Sequence, residues 1–237
     1  MNSLQKQKEF YNELWKQNSK ILGKNDGWVS DPIPLYTIGI WLHKDLHDEM
    51  GKLIRMWQEI VPAGNHLWLP VDQLHISLDI PGRLDTHFQE DDILKMVDLL
   101  QVVCRENHSF EITLGNISCF PAVPFREVYD EAGSIFKLHN AIADKIPWSL
   151  HSQFRYKNYH PHMSIFYPGE DVTDLIKHKE FSRELKPVQM TVKSIYLTKW
   201  YDGEGVLERS DVATIELGSG KLLGKISEIN ANKRKCS

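Results

Sequence analysis

Cysteine is scarce in this chain of 237 residues, with only Cys104, Cys119 and Cys236. Three thiols without a repeated spacing exclude a disulfide framework and a cysteine-based metal centre. They read as reduced thiols, which suits a cytoplasmic protein. Long apolar runs are also missing. No stretch approaches the roughly 20 residues a membrane-spanning helix needs, so no membrane contact is expected. The start, Met1-Asn2-Ser3-Leu4-Gln5-Lys6, lacks the apolar core of a secretory signal. Nor is there a basic excess: 28 basic residues face 32 acidic ones, for a formal net charge of −4. Proteins that grip long nucleic-acid duplexes present a basic surface. This composition points instead to a small nucleotide or an RNA end, where a few local cations suffice. The length fits one domain, and a monomer is expected.

Against that background one pattern stands out. The tripeptide His-x-Ser occurs twice, in Leu74-His75-Ile76-Ser77-Leu78 and in Pro161-His162-Met163-Ser164-Ile165. Both copies read as short apolar strands. Residues i and i+2 of a strand share a face, so each His projects beside its own Ser while the apolar neighbours turn into the core. With 11 histidines, roughly one such match is expected by chance. A histidine in an apolar strand is also, in general, a satisfied core or edge residue. The surroundings change the weighting. A strand-like run from Leu35 to Leu42 and a helical run through Leu46, Met50, Leu53, Ile54, Trp57 and Ile60 precede the first copy. A strand from Phe110 to Phe120 and a helix through Ile135, Leu138, Ile142 and Ile146 precede the second. Strand, helix, motif strand is written twice. A duplicated lobe would bring two imidazoles and two hydroxyls to one cleft, a kit for acid–base chemistry on a phosphate ester.

In these residues the chain resembles the 2H phosphoesterase superfamily, in particular its 2′-5′ RNA ligase-like and cyclic nucleotide phosphodiesterase branch. The paired motifs carry the resemblance, with Phe120-Pro121, the segment from Arg126 to Tyr129, and Pro161-His162 in support. It covers residues 35 to 217. Both hydroxyl residues are Ser where many relatives have Thr, which keeps a donor and acceptor in place. The loop after the first motif, Asp79-Ile80-Pro81-Gly82-Arg83, departs from the family pattern and bears on the substrate. The resemblance implies two antiparallel sheets facing a central cleft with helices outside, an α+β fold of two pseudo-symmetric lobes. It also implies a metal-independent reaction without a cofactor.

The expected reaction opens a 2′,3′-cyclic phosphate or cleaves a 2′-5′ phosphodiester of a nucleotide or RNA end. His75 and His162 would exchange protons with the attacking and departing oxygens, and Ser77 and Ser164 would hold the non-bridging oxygens. Arg83, Arg126 and Arg155 are candidate phosphate cations. Trp68, Phe120, Tyr159 and Tyr167 are candidates for stacking a base. For each arginine a surface position is the plainer alternative, and for each aromatic a core position. RNA 3′-end trimming by transesterification, and a binding module without turnover, are the other functional readings. A metal site built on His160 and His162, or on His43 and His47, would need further ligands.

Residues 1 to 34 read as a helix over 3 to 22 followed by a Gly-, Asp- and Pro-rich linker. Beyond the two motifs, helices are expected over 90 to 107 and 172 to 178. Strands are expected over 188 to 200 and 212 to 217, and residues 218 to 237 form a tail that is helical from 221.

Overall fold

The computed structural model describes residues 3–23, 33–61, 63–64, 66–178, 181–203 and 206–224. The first half holds helix α1 (Ser3–Asn18), strand β1 (Leu35–Trp41), helix α2 (His47–Ile60), the short strand β2 (Leu67–Trp68), strand β3 (His75–Arg83) and helix α3 (Glu90–Glu106). Strands β4 (Phe110–Phe120) and β5 (Val123–Tyr129), helix α4 (Ser134–Lys145), strands β6 (His162–Ser164) and β7 (Phe166–Tyr167), and helix α5 (Thr173–Lys177) follow. The chain then runs through β8 (Val188–Val192), β9 (Ser194–Gly203), β10 (Val206–Glu216) and β11 (Leu222–Gly224). No helix among the described residues is long and apolar enough to cross a membrane.

The architecture is the expected mixture of helices and antiparallel strands. Nine strands form one sheet in the order β11-β10-β9-β1-β3-β6-β5-β4-β8, and β2 pairs separately with β7. The two halves of the large sheet meet at β3 and β6, which pair at one position, Ile76 with Met163. The two lobes, expected as antiparallel sheets facing a central cleft, are joined edge to edge through the middle residues of the two motifs.

Four features differ from the sequence reading. The run from Val188 to Trp200 divides at Lys193: β8 pairs with β4 in one half, β9 with β1 in the other. A uniform β-former composition does not reveal that break. The repeat unit of the second half starts at β5 rather than at Phe110, since β5 flanks β6 as β1 flanks β3. The last long strand begins at Val206, not Val212. The tail helix expected from 221 is replaced at Leu222–Gly224 by a strand on β10, and residues 225–237 lie outside the described residues.

Met50, Ile54 and Trp57 of α2, Ile93, Met96 and Leu100 of α3, and Ile135, Leu138 and Ile142 of α4 share one buried cluster with Ile76 and Met163. These helices thus cover the face of the sheet opposite the motif His and Ser. Helix α1 lies on the other face, against β4 and β5, where Tyr11 forms a separate apolar cluster with Phe125 and Tyr129. Behind the first motif, β1 approaches β3 closely at Gly39, which pairs with Ser77 just after the second of two register shifts. A Cβ at Gly39 would stand 2.9 Å from the Ile76 carbonyl oxygen, so only glycine lets the strands meet there.

Candidate active site

The single pairing of Ile76 with Met163 builds the site. Both apolar side chains point into the core, at 1% exposure each, which turns the flanking His and Ser to the opposite face. In antiparallel register the next step in either direction sets His75 beside Ser164 and Ser77 beside His162. The four side chains thus gather about a local pseudo-two-fold at the seam.

Each histidine is oriented in the same way. His75 Nδ1 lies 2.9 Å from the carbonyl oxygen of Gln73, and His162 Nδ1 lies 2.8 Å from that of His160. A carbonyl can only accept, so Nδ1 carries the proton in both rings and Nε2 is left with the lone pair. Burial holds both imidazoles toward the neutral form. It lowers His75 to about 4, with added opposition from the charge of His162 and Arg209, and it lowers His162 as well. The carbonyl contacts work against this but do not overcome it.

The two sides of the seam differ. On the His75–Ser164 side the gap between the strands is closed by the β2–β7 ribbon, where Trp68 stacks on Phe166 at 4.1 Å. The Leu69 amide donates to the Ile165 carbonyl there at 3.3 Å. On the Ser77–His162 side the gap stays open. A cavity of about 470 Å³ lies between Ser77, Leu78, Asp79 and Ile80 of β3 and the segment from His151 to His162.

The structure places the other expected residues as follows. Arg126 pairs in register with Met163, on the helix-covered face, and is 1% exposed. Its guanidinium donates to the carbonyls of Gly115 (2.9 Å) and Lys186 (2.7 Å) and to Glu49 (3.1 Å), so it ties the sheet to α2 and is corrected from phosphate ligand to core brace. Arg155 lines the cavity, but it is engaged with Asp79 and with the carbonyls of Ala143, Ile146 and Trp148. It pins the loop to β3 from the wall of the cavity, beside Ser77 and His162. Arg83 sits at the far end of β3, eight positions from His75 and so roughly 25 Å along the strand, with the Ile33 carbonyl as a partner. It too is corrected.

Among the aromatics, Phe120 stands edge-on to His162 at 5.0 Å and lines the cavity. Tyr159 also lines it; its ring stacks on His139 at 3.9 Å and its hydroxyl donates to the Ser77 carbonyl at 3.0 Å. Tyr167 is hydrogen-bonded to Ser164. Trp68 serves the ribbon that closes the opposite gap. His43 contacts Asp45 and His47 contacts the Leu42 carbonyl, and no cluster of three or more His, Cys, Asp or Glu forms among the described residues.

Several site residues carry no sequence signal of their own. Trp41 pairs in register with His75, and its ring lies 5.1 Å away. Trp200, from β9, lies 5.1 Å from His75 on another side. Arg209, from β10, stacks on Trp41 at 4.1 Å and is the cation whose charge reaches His75. These groups converge only because β9 crosses to the first half. The phase of β1 offers a partial clue, since Gly39 and Trp41 alternate with the apolar Ile38 and Ile40.

Seam, duplicated motif and antiparallel halves define an α+β protein of the two-histidine type. A model of the 2′-5′ RNA ligase superfamily matches residues 46–204, and the chain belongs to that superfamily. A search of curated proteins gives no match. Among solved structures the chain is similar to TT0787 of Thermus thermophilus, at 12% identity and a TM-score of 0.57, over 78% of this chain and 98% of that one. It is also similar to E. coli LigT complexed with 3′-AMP, at 14% identity and a TM-score of 0.55, over 79% and 99%. A LigT structure complexed with ATP matches at 15% identity and a TM-score of 0.57, over 79% and 99%. At these identities the likeness is one of fold.

Proposed function

We propose that the protein is a phosphoesterase that opens 2′,3′-cyclic phosphates, or cleaves 2′-5′ phosphodiesters, at a nucleotide or RNA end. The observation that carries this reading is the Ile76–Met163 pairing, which brings two identically oriented imidazoles to one seam. A phosphorus held between them has a proton acceptor on one side and a proton donor on the other. One Nε2 takes the proton of the attacking water as the new P–O bond forms. The other imidazole, protonated, delivers its Nε2 proton to the departing ribose oxygen as that P–O bond breaks. Ser77 and Ser164 supply hydroxyls to the non-bridging oxygens, where charge builds in the transition state. Arg209, whose charge reaches His75 and whose guanidinium is held by the Asp72 carbonyl and the Asp211 carboxylate, is the candidate cation on that side of the seam. The relatedness to LigT, which holds 3′-AMP and ATP, supports a nucleotide as substrate.

The test is hydrolysis of a panel of 2′,3′-cyclic nucleotides and 2′-5′ dinucleotides in the presence of a chelator. His75→Ala and His162→Ala should each lower turnover by ~100- to 10,000-fold, the usual contribution of a general acid or base. Near-normal rates in either variant, or loss of wild-type activity on chelation, would remove the proposal.

A further inference from the structure

His139 is a buried titratable group that the phosphate chemistry does not use. It sits on α4 at 2% exposure, beneath the loop that carries Phe154, Arg155 and Tyr159 along the open gap. Both of its ring nitrogens are engaged. Nε2 accepts the Tyr156 amide at 3.0 Å, so Nδ1 holds the one ring proton and donates to the Leu78 carbonyl at 2.6 Å. The ring also stacks on Tyr159 at 3.9 Å, nearly parallel, and the Tyr159 hydroxyl donates to the Ser77 carbonyl at 3.0 Å. The two carbonyls sit at a break in the ladder. Gly39 pairs with Ser77 and Ile38 with Asp79, which leaves Leu78 without a partner on β1. On the other edge, β6 pairs with β3 at Ile76 alone. Backbone groups released at such a bulge need other partners. Here two stacked side chains supply them, at the serine of the first motif and the residue after it. The outer end of this latch is strained. Tyr156 has a φ of +58°, a left-handed conformation that disfavours a bulky side chain. Its amide bond to His139, its hydroxyl bond to Asp144 at 2.9 Å and the neighbouring Arg155–Asp79 contact hold it there.

We propose that His139 and Tyr159 are positioning residues that fix the backbone of Ser77, and that they do so only while the His139 ring carries a single proton. A second proton would go to Nε2, where it meets the Tyr156 N–H, donor against donor. The turn then loses its acceptor, its strain is no longer opposed, and Tyr159 is released from the Ser77 carbonyl. The charged and titratable groups that face His139 are Asp79 from β3 and Arg155, Tyr156 and Tyr159 from the loop. His151 and His162 line the same cavity, and Asp144 of α4 takes the Tyr156 hydroxyl. Burial is the largest influence and disfavours the second proton. The Leu78 carbonyl and Asp79 favour it, Arg155 opposes it, and the ring titrates below its ordinary 6.5. In the opened loop the ring returns to about 6.5. The open form therefore binds the proton more readily, so the closed latch is most stable above that pH and weakens as pH falls below it. The part of Ser77 in catalysis rests on the phosphoesterase reading above; the latch itself does not.

Hydrogen exchange on the full chain tests the latch without any substrate. Corrected for the intrinsic chemical rate, exchange at residues 156–159 should rise as pH falls below about 6.5, by up to about tenfold per pH unit, the slope of one proton. His139→Gln keeps an oxygen that accepts the Tyr156 amide and takes no proton, so its protection should stay level over the same range. His139→Phe keeps the stack and removes both hydrogen bonds, and these residues should then exchange fast at every pH. An equal slope in wild type and His139→Gln, or wild-type protection in His139→Phe, overturns the latch. Should His139→Gln fail to fold, the His139 ring and the Tyr156 amide are followed together by NMR in the wild type; titration of one without the other overturns it equally. Tyr159→Phe removes only the hydroxyl and reads the positioning of Ser77 on a nucleoside 2′,3′-cyclic phosphate. There kcat should fall several-fold with KM unchanged, because Ser77 acts on charge that builds in the transition state. A raised KM with unchanged kcat means that Tyr159 touches substrate, and unchanged constants mean that it positions nothing; either overturns that role. If the wild type turns over no such substrate, the phosphoesterase reading fails. Faster amide exchange at residues 77–79 in Tyr159→Phe then decides the positioning alone, exchange equal to wild type overturning it.

Discussion

Burial holds both imidazoles toward the neutral form, and that sets how the proposed reaction should respond to pH. His75 gains its proton only as pH falls to about 4, and His162 also below its ordinary value of 6.5. The proposed reaction needs one ring neutral and one protonated. In the free enzyme kcat/KM should therefore rise from pH 4, reach a maximum on the acid side of 6.5 and fall as the proton donor empties. A bound phosphate anion favours the imidazolium, so the falling limb of kcat should lie at higher pH than that of kcat/KM. A pH–rate series over 4 to 8 checks both; a maximum of kcat/KM above pH 7 would contradict the burial argument. The core arginine gives a contrasting expectation. Arg126→Ala leaves the carbonyls of Gly115 and Lys186 without a donor, and should cost about 3 kcal/mol of stability in denaturant melts while KM stays unchanged. The motif residues were legible in the sequence because a strand has a period of two and writes its faces openly. The arginines were not, because charge on the page does not name its partner. Arg126 and Arg155 are enclosed by carbonyls from other segments, and Arg209 reaches the site from a strand more than 120 residues beyond His75.

Among the elements, α1 carries the most unexpected placement. The sequence predicts a helix here but not that it covers the same face as the motifs. Its Phe10 ring stacks on His160 at 3.9 Å, and the Tyr11 hydroxyl contacts the carbonyls of Val128 (3.2 Å) and Pro161. Both contacts bear on the two residues before His162. Beneath the helix, Glu127 is buried with Arg183 and Tyr129, and Arg183 also reaches Asn12. Tyr11→Phe removes the hydroxyl alone. It should cost about 1 kcal/mol of stability and lower kcat several-fold with little change in KM, since the strand that aims His162 loses a tether. Stability loss without any change in kcat would show that α1 only packs. The family model begins at residue 46, so this helix stands outside the matched region. The division of β8 from β9 was hidden for a different reason: Val, Thr, Ile and Tyr favour a strand on either side of Lys193, and only the choice of partner ends one and begins the next.

For the molecule as a whole, charge frames the substrate. A net charge of −4 gives no long-range pull toward a polyanion. Competition by oligoribonucleotides should be independent of their length and should vary weakly with salt. Inhibition that strengthens steadily with length, with a steep salt slope, would reveal a basic track that the composition conceals. The α+β class and the doubling of strand, helix and motif could be read in advance. The way the halves join could not, because a pairing of one residue leaves no periodicity behind.

That joint, with the β2–β7 ribbon and the Arg155–Asp79 contact that also span the halves, bears on how the molecule could move. When two plates share one pivot, a small rotation displaces each point in proportion to its distance from the axis. The histidines and serines lie within one residue of the Ile76–Met163 pivot, whereas Arg209 on one side and Phe154 on the other lie further out. Rocking of the halves would widen or narrow the rim and leave the spacing of the reacting groups nearly constant.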